Sequence, residues 1–152
     1  MERLALIQKV LQEHSATSVA TVSFLERPHK YTQDDSLYMR EVHFVVKVGS
    51  MDAPTMSEVA SSLNVTQGAV SQMAARLENK GYVTRRKSSQ DKRVTTILLT
   101  EKGKKLCEEH IAFDQKEHSD VSERLGDFSD EELEKLIHYE KIMWEIFTKW
   151  MN

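Results

Sequence analysis

The feature that most restricts this chain is a run of capped segments between Thr55 and Leu99. Thr55-Met56-Ser57-Glu58 has the form of a capping box, in which the threonine hydroxyl accepts from the N3 amide and the glutamate reaches back to the cap amide. Met56, Val59, Ala60 and Leu63 fall on one face of the helix it opens, and Asn64 stops that helix. Two residues later Thr66 caps a second helix that runs to Lys80, with Val70, Met73, Ala74 and Leu77 facing inward and Gly81 ending it. Tyr82 to Lys87 and Val94 to Leu99 are β-rich runs joined by the turn Ser88-Ser89-Gln90-Asp91-Lys92, and together they read as a hairpin. Two short helices, a tight turn and a hairpin make a winged helix-turn-helix.

Helical segments flank this unit. Leu4 to Leu25 contains no Gly or Pro and reads as one long helix closed by Pro28. Its stripe carries Leu4, Ile7 and Leu11 in the first half and turns polar in the second. The polar stretch 27–35 reads as a loop, with Ser36 as N-cap of a helix from Leu37 to Val48 that Gly49 terminates. After the hairpin, Thr100 caps a helix to about Leu125. Gly126 to Phe128 break it, and Ser129-Asp130-Glu131-Glu132 is a second capping box opening a terminal helix to about Trp150. The expected fold is mainly α with a small β-hairpin wing. It divides into an N-terminal helix and loop (1–36), a winged helix-turn-helix (37–105) and C-terminal helices (106–152), intertwined as one domain.

Charge points to the partner. The whole chain carries −3, yet between Arg76 and Lys105 ten basic side chains stand against three acidic ones. A basic segment of that kind, placed on a helix and hairpin, seeks an anion. In helix-turn-helix proteins the second helix enters the major groove. Its outward positions here include Gln67, Gly68, Ser71, Gln72 and Arg76, behind the cap Thr66. Glutamine pairs with adenine and arginine with guanine or phosphate, while Gly68 and Ala69 are small enough for close approach. Arg85, Arg86 and Lys87 on the first strand, with Lys92 and Arg93 just past the tip, suit an adjacent minor groove.

These motifs together resemble the MarR family of winged helix-turn-helix transcriptional regulators. Thr55 to Ala60, Val65 to Gln72 and Leu77-Glu78-Asn79-Lys80-Gly81-Tyr82-Val83 are similar to the family's helix-turn-helix. Asp91-Lys92-Arg93 and Leu99-Thr100-Glu101-Lys102-Gly103 are similar to its wing and the start of its next helix. The resemblance is strong over residues 37–110 and rests on order and length alone in the flanking helices. It implies that Asp91 orients Arg93 for the minor groove. It also implies that the first and last helices of two subunits interlock, through Leu4, Ile7, Leu11, Leu136, Met143, Trp144, Phe147 and Trp150. A homodimer would set two recognition helices on pseudo-palindromic half-sites.

The expected function is therefore a sequence-specific regulator of transcription, a homodimeric repressor modulated by a small ligand. The alternative is a small-molecule or metal sensor whose winged helix makes protein contacts. The resemblance implies an effector pocket, for which Tyr38, His43 and Phe113 are the candidates, with a small organic or acyl effector. No cofactor or metal is expected. His110, Asp114 and His118 share a helical face, but positions i and i+8 lie about 12 Å apart, too far for one ion. Cys107 shares a stripe with Ile111 and reads as core rather than redox sensor. No phosphate loop, zinc-protease motif or nucleophile elbow is present, so no enzyme is expected. The single cysteine, the absence of a signal-peptide pattern and the lack of a membrane-spanning apolar run suggest a cytoplasmic protein with no membrane partner.

Overall fold

A computed structural model describes residues 2–30, 36–87 and 94–151. Along the chain run α1 (Arg3–Leu25), β1 (Pro28–Lys30), β2 (Ser36–Tyr38), α2 (Met39–Gly49), α3 (Met56–Leu63), α4 (Gln67–Asn79), β3 (Val83–Lys87), β4 (Thr95–Leu99), α5 (Glu101–Arg124) and α6 (Asp130–Met151). Two compact units are present, Met1–Ile111 and Ala112–Asn152.

The first unit holds a continuous apolar core. Val42, Val45 and Val48 of α2, Val59 of α3, Val70, Ala74 and Leu77 of α4, Tyr82, Val83, Ile97 and Leu106 are all buried. Met56, Leu63 and Met73 pack against this cluster from its margin. The inward faces expected of α3 and α4 are thus the faces that are buried. Burying a side chain the size of Val or Leu is worth about 1.5–3 kcal/mol, so this cluster dominates the cohesion of the unit.

The caps form as the residues dictate. Thr55 Oγ1 accepts from the Glu58 amide at 3.2 Å, and the Glu58 carboxylate accepts from the Thr55 amide at 2.7 Å. Asn64 ends α3 in the left-handed region with φ 53°. Thr66 Oγ1 accepts from the Ala69 amide at 3.2 Å. Gly81 leaves α4 at φ +79°, a conformation that glycine adopts without steric cost. The hairpin pairs Val83 with Leu99 and Lys87 with Thr95. The Ile97 amide donates to Pro54 O at 2.9 Å, so the segment before α3 leans on the same strand. Gly103 meets a different constraint: a Cβ there would lie 2.1 Å from Tyr82 O, so only glycine lets α5 pass this close to the start of β3.

The segment before α2 differs from expectation. Residues Pro28–Lys30 and Ser36–Tyr38 are short antiparallel strands, with His29 opposite Leu37. Ser36 therefore lies in β2 and is not a helix cap. Helix α2 begins two residues later, at Met39, because Glu41 supplies the cap from inside: its carboxylate accepts from the Tyr38 amide at 3.0 Å.

Helix α1 has no buried residue. In the second unit Ser129 and Glu132 cap α6 reciprocally, as their spacing predicts. No helix is long and apolar enough to cross a membrane, the described residues being those searched.

Candidate nucleic-acid interface

Helix α4 is fixed at both ends and open along its outer face. At its start Thr66 caps the helix, and Gln67 Nε2 donates to Ser57 Oγ of α3 at 3.1 Å. Gln67, Gly68, Ser71, Gln72 and Arg76 are all exposed. A Cβ placed on Gly68 would meet nothing nearer than Thr66 Oγ1 at 4.0 Å. Nothing inside the chain requires glycine there.

At the far end, charged groups bind α4 to its neighbours. Lys80 Nζ lies 3.1 Å from one oxygen of the fully buried Glu41 carboxylate and 3.2 Å from the other, and donates to Ser36 O at 3.3 Å. Arg76 Nη1 is 3.8 Å from Glu41. Lys102 Nζ donates to Lys80 O at 2.9 Å and sits over the Tyr82 ring. Glu78 takes both the backbone amide and the guanidinium of Arg85, at 2.9 and 2.7 Å. Those bonds from Arg85, the side chain first and then the amide, hold the Glu78 carboxyl below its ordinary range.

The wing therefore divides its cations. Arg85 points to α4 and is occupied by Glu78. Arg86 and Lys87 are exposed, and among the described residues neither has a carboxylate at ion-pair distance. The alternation of strand side chains separates Arg85 from Arg86. Asp91, Lys92 and Arg93 lie outside the described residues. The Glu41 and Glu78 pairs were not anticipated. The signal for the first was an acid at the third position of α2, which sequence reasoning misaligned by placing the cap at Ser36.

The expected effector residues come together only in part. His43 is exposed and borders a cavity of about 300 Å³ walled also by Arg40, Phe44, Leu63, Val65, Ala69, Val70 and Met73. Tyr38 is half-buried and carries the Arg40 guanidinium 5.1 Å above its ring. Neither it nor Phe113, which is exposed on α5, is among those walls. The His43 and His110 rings lie 5.4 Å apart, and His110 is buried. Among the described residues no group of three or more His, Cys, Asp or Glu is placed to hold an ion. Burial pushes the Cys107 thiol above its usual range, and its sulfur faces Val45 O at 3.6 Å.

The expected dimer residues sit on open surfaces. Leu4, Ile7, Leu11, Leu136 and Phe147 are exposed, as are Trp144 at 70% and Trp150 at 75%. Met143 is the exception and is buried.

Comparison with known proteins agrees with this geometry. Residues 37–95 match the sequence profile of the MarR family. The chain is 30% identical over 115 residues to YhjH of Bacillus subtilis, an uncharacterised HTH-type transcriptional regulator, covering 75% of this chain and 63% of that one. The chain spans less than two thirds of the length of the curated relatives it matches. Among solved structures it resembles the zinc-responsive MarR family member ZitR of Lactococcus lactis, with a TM-score of 0.75 and 22% identity over 93% of this chain and 99% of that one. It also resembles FabT of Streptococcus pneumoniae, solved in complex with DNA, with a TM-score of 0.69 and 24% identity over 95% and 99% of the two chains. These likenesses establish the fold. Over residues 37–95, where the capped helices, the glycine turn and the first hairpin strand fall within the family profile, this segment is similar to the MarR family.

Proposed function

We propose that this protein is a regulator of transcription that binds double-stranded DNA as a homodimer and acts as a repressor, with α4 reading the major groove and the wing reaching the minor groove. The observation that carries this reading is the outer face of α4. Gln67, Ser71, Gln72 and Arg76 are exposed together beside Gly68, whose lack of a side chain has no use inside the chain. Base-edge donors and acceptors on a helix that admits close approach are what groove reading needs. Arg86 and Lys87 supply phosphate or minor-groove contacts, to which the sequence adds Lys92 and Arg93, with Asp91 to orient Arg93. The apolar side chains of α1 and α6 are the dimer surface, since patches of this size on a solitary chain call for a cover.

The effector is a small organic or acyl molecule. The cavity beside His43 is apolar on most sides, with Arg40 and His43 as polar handles, which suits such a ligand. The nearness of His43 to His110 favours a metal as the second reading. Two imidazoles are half of the four ligands a closed zinc site uses.

Salt titration tests the core claim. Each Lys or Arg that neutralises a phosphate lowers the slope of log K against log salt by about 0.9. Affinity for duplex DNA should fall steeply with salt, and Arg86→Ala with Lys87→Ala should flatten the slope by roughly two contacts per subunit, about four for the dimer. Binding indifferent to salt would remove the DNA reading. Zinc titration of purified protein, followed by DNA binding, separates the two effectors: stoichiometric uptake with a tenfold change in affinity, about 1.4 kcal/mol of coupling, would install the metal.

A further inference from the structure

We propose that Glu41 is a positioning residue for sequence reading: through its contacts with Lys80 and Arg76 it sets how Arg76 projects from the recognition helix. The inference rests on the DNA-binding reading above and concerns a side chain that cannot itself reach DNA. Glu41 is fully buried on α2. A buried carboxylate is costly unless cations and donors surround it, so it holds its partners firmly. Its partners are the Tyr38 amide at 3.0 Å and two side chains one turn apart at the end of α4.

Those two cations are held differently. The Lys80 ammonium has three donors and three acceptors around it: both Glu41 oxygens and Ser36 O. It is satisfied and serves as the anchor. Arg76 has five donors, is about half exposed and touches Glu41 with one corner at 3.8 Å. One carboxylate facing two cations leaves a positive charge unbalanced, and it sits on the arginine, the partner that is open to the outside. Glu41 thus restrains the guanidinium in direction without consuming it. An arginine held this way meets one base edge or phosphate in a defined geometry. Released, it can swing to whichever phosphate is nearest, which gives affinity without discrimination.

The test begins by selecting the best duplex from a randomised pool with the wild-type protein. Binding to that duplex and to a scrambled one is then compared for Glu41→Gln, Arg76→Ala and the double variant. Glu41→Gln should lower discrimination about tenfold, within the range that one well-aimed arginine supplies, while affinity for the scrambled duplex holds or rises. In the Arg76→Ala background the same change should have no further effect on discrimination, because pairs that act together are not additive. A purely structural role would lower both affinities in parallel with the melting temperature, and its effect would persist without Arg76. Either result overturns the inference, as does unchanged discrimination in a folded Glu41→Gln protein. Should Glu41→Gln alone not fold, Glu41→Gln with Lys80→Met removes both the buried carboxylate and its lysine partner, and the comparison with and without Arg76 is repeated on that scaffold. Failure of the wild-type protein to enrich any duplex would instead sink the DNA-binding reading, and this inference with it.

Discussion

The winged helix-turn-helix and the terminal helices handle apolar residues in opposite ways. Between Leu37 and Leu106 the large apolar side chains, Val65 apart, close on one another, and even the carboxylate of Glu41 is sealed among partners. Along α1 nothing is buried, and along α6 Met143 is, among the described side chains, the buried apolar residue while both tryptophans of the chain stand open. Packing alone accounts for the first region. In the second, the sequence spends Leu, Ile, Phe and Trp on surfaces that the chain itself leaves uncovered. Scattered surface hydrophobics need no explanation, but a continuous run over several turns does. The difference teaches that one region carries its stability within itself, while the other leaves apolar side chains that the proposed dimer would cover.

The largest expected effect would break the closed region from within. Gly103→Ala places a Cβ 2.1 Å from Tyr82 O, a backbone atom that cannot rotate away. The winged unit should lose about 3 kcal/mol or more, the upper end for overpacking, read as a drop in the denaturation midpoint. A variant as stable as wild type would show that α5 is less tightly seated. Next comes the open region. Trp144→Ala with Phe147→Ala should shift the chain toward monomer in sedimentation. Because two linked half-sites bind roughly 10²-fold or more tighter than one, DNA affinity should fall by at least that factor, with the winged unit still folded. A wild-type protein that sediments as a monomer at micromolar concentration would end the contrast between the regions.

How much of this was legible in the sequence follows the same division. Caps and periodicity are local, so Thr55 with Glu58, Thr66, Gly81 and Ser129 with Glu132 could be read directly, and the faces of α3 and α4 followed from spacing. The Pro28–Lys30 and Ser36–Tyr38 pairing was not read, because strands of three residues carry too little alternation to distinguish them from loop. The start of α2 was misplaced because its cap is a glutamate inside the helix rather than a Ser or Thr before it. The allocation of charges was also hidden. Arg85 and Arg86 are equivalent as letters, and only the alternation of β3 beside α4 gives Arg85 to Glu78 and leaves Arg86 exposed. Long-range ion pairs such as Glu41 with Lys80 leave no periodic trace.

Gly68→Ala probes a smaller effect and separates fold from function by sign. With no steric conflict at that position, alanine should stabilise the winged unit by about 0.4–1 kcal/mol by restricting the unfolded chain. The same methyl group would stand on the face offered to DNA and should weaken binding. Stability and affinity would then move in opposite directions, measured by chemical denaturation and by binding to one duplex. If affinity rises with stability, Gly68 is not at the groove.

The smallest effect tests the charged seal of the closed region. Glu78 is held ionised by the Arg85 side chain and then by the Arg85 amide, so its folded-state pKa lies below the unfolded value. A depressed carboxylate contributes stability that is complete above the unfolded pKa, about 4.3 for glutamate. That contribution is lost as pH falls through the lower, folded value. The link between α4 and the wing should therefore be intact at neutral pH and weaken only in acid. Its side chains are about a third exposed, which screens the pair and limits it to about 1 kcal/mol or less. The carboxyl carbon shift of Glu78 followed by NMR reads the change directly, and a midpoint at or above the ordinary glutamate value would contradict the pairing. Glu78→Gln should leave the protein nearly as stable at acid pH as its parent and less stable at neutral pH. The Arg85 amide should then lose protection from hydrogen exchange, because the oxygen 2.9 Å away is no longer that of a carboxylate.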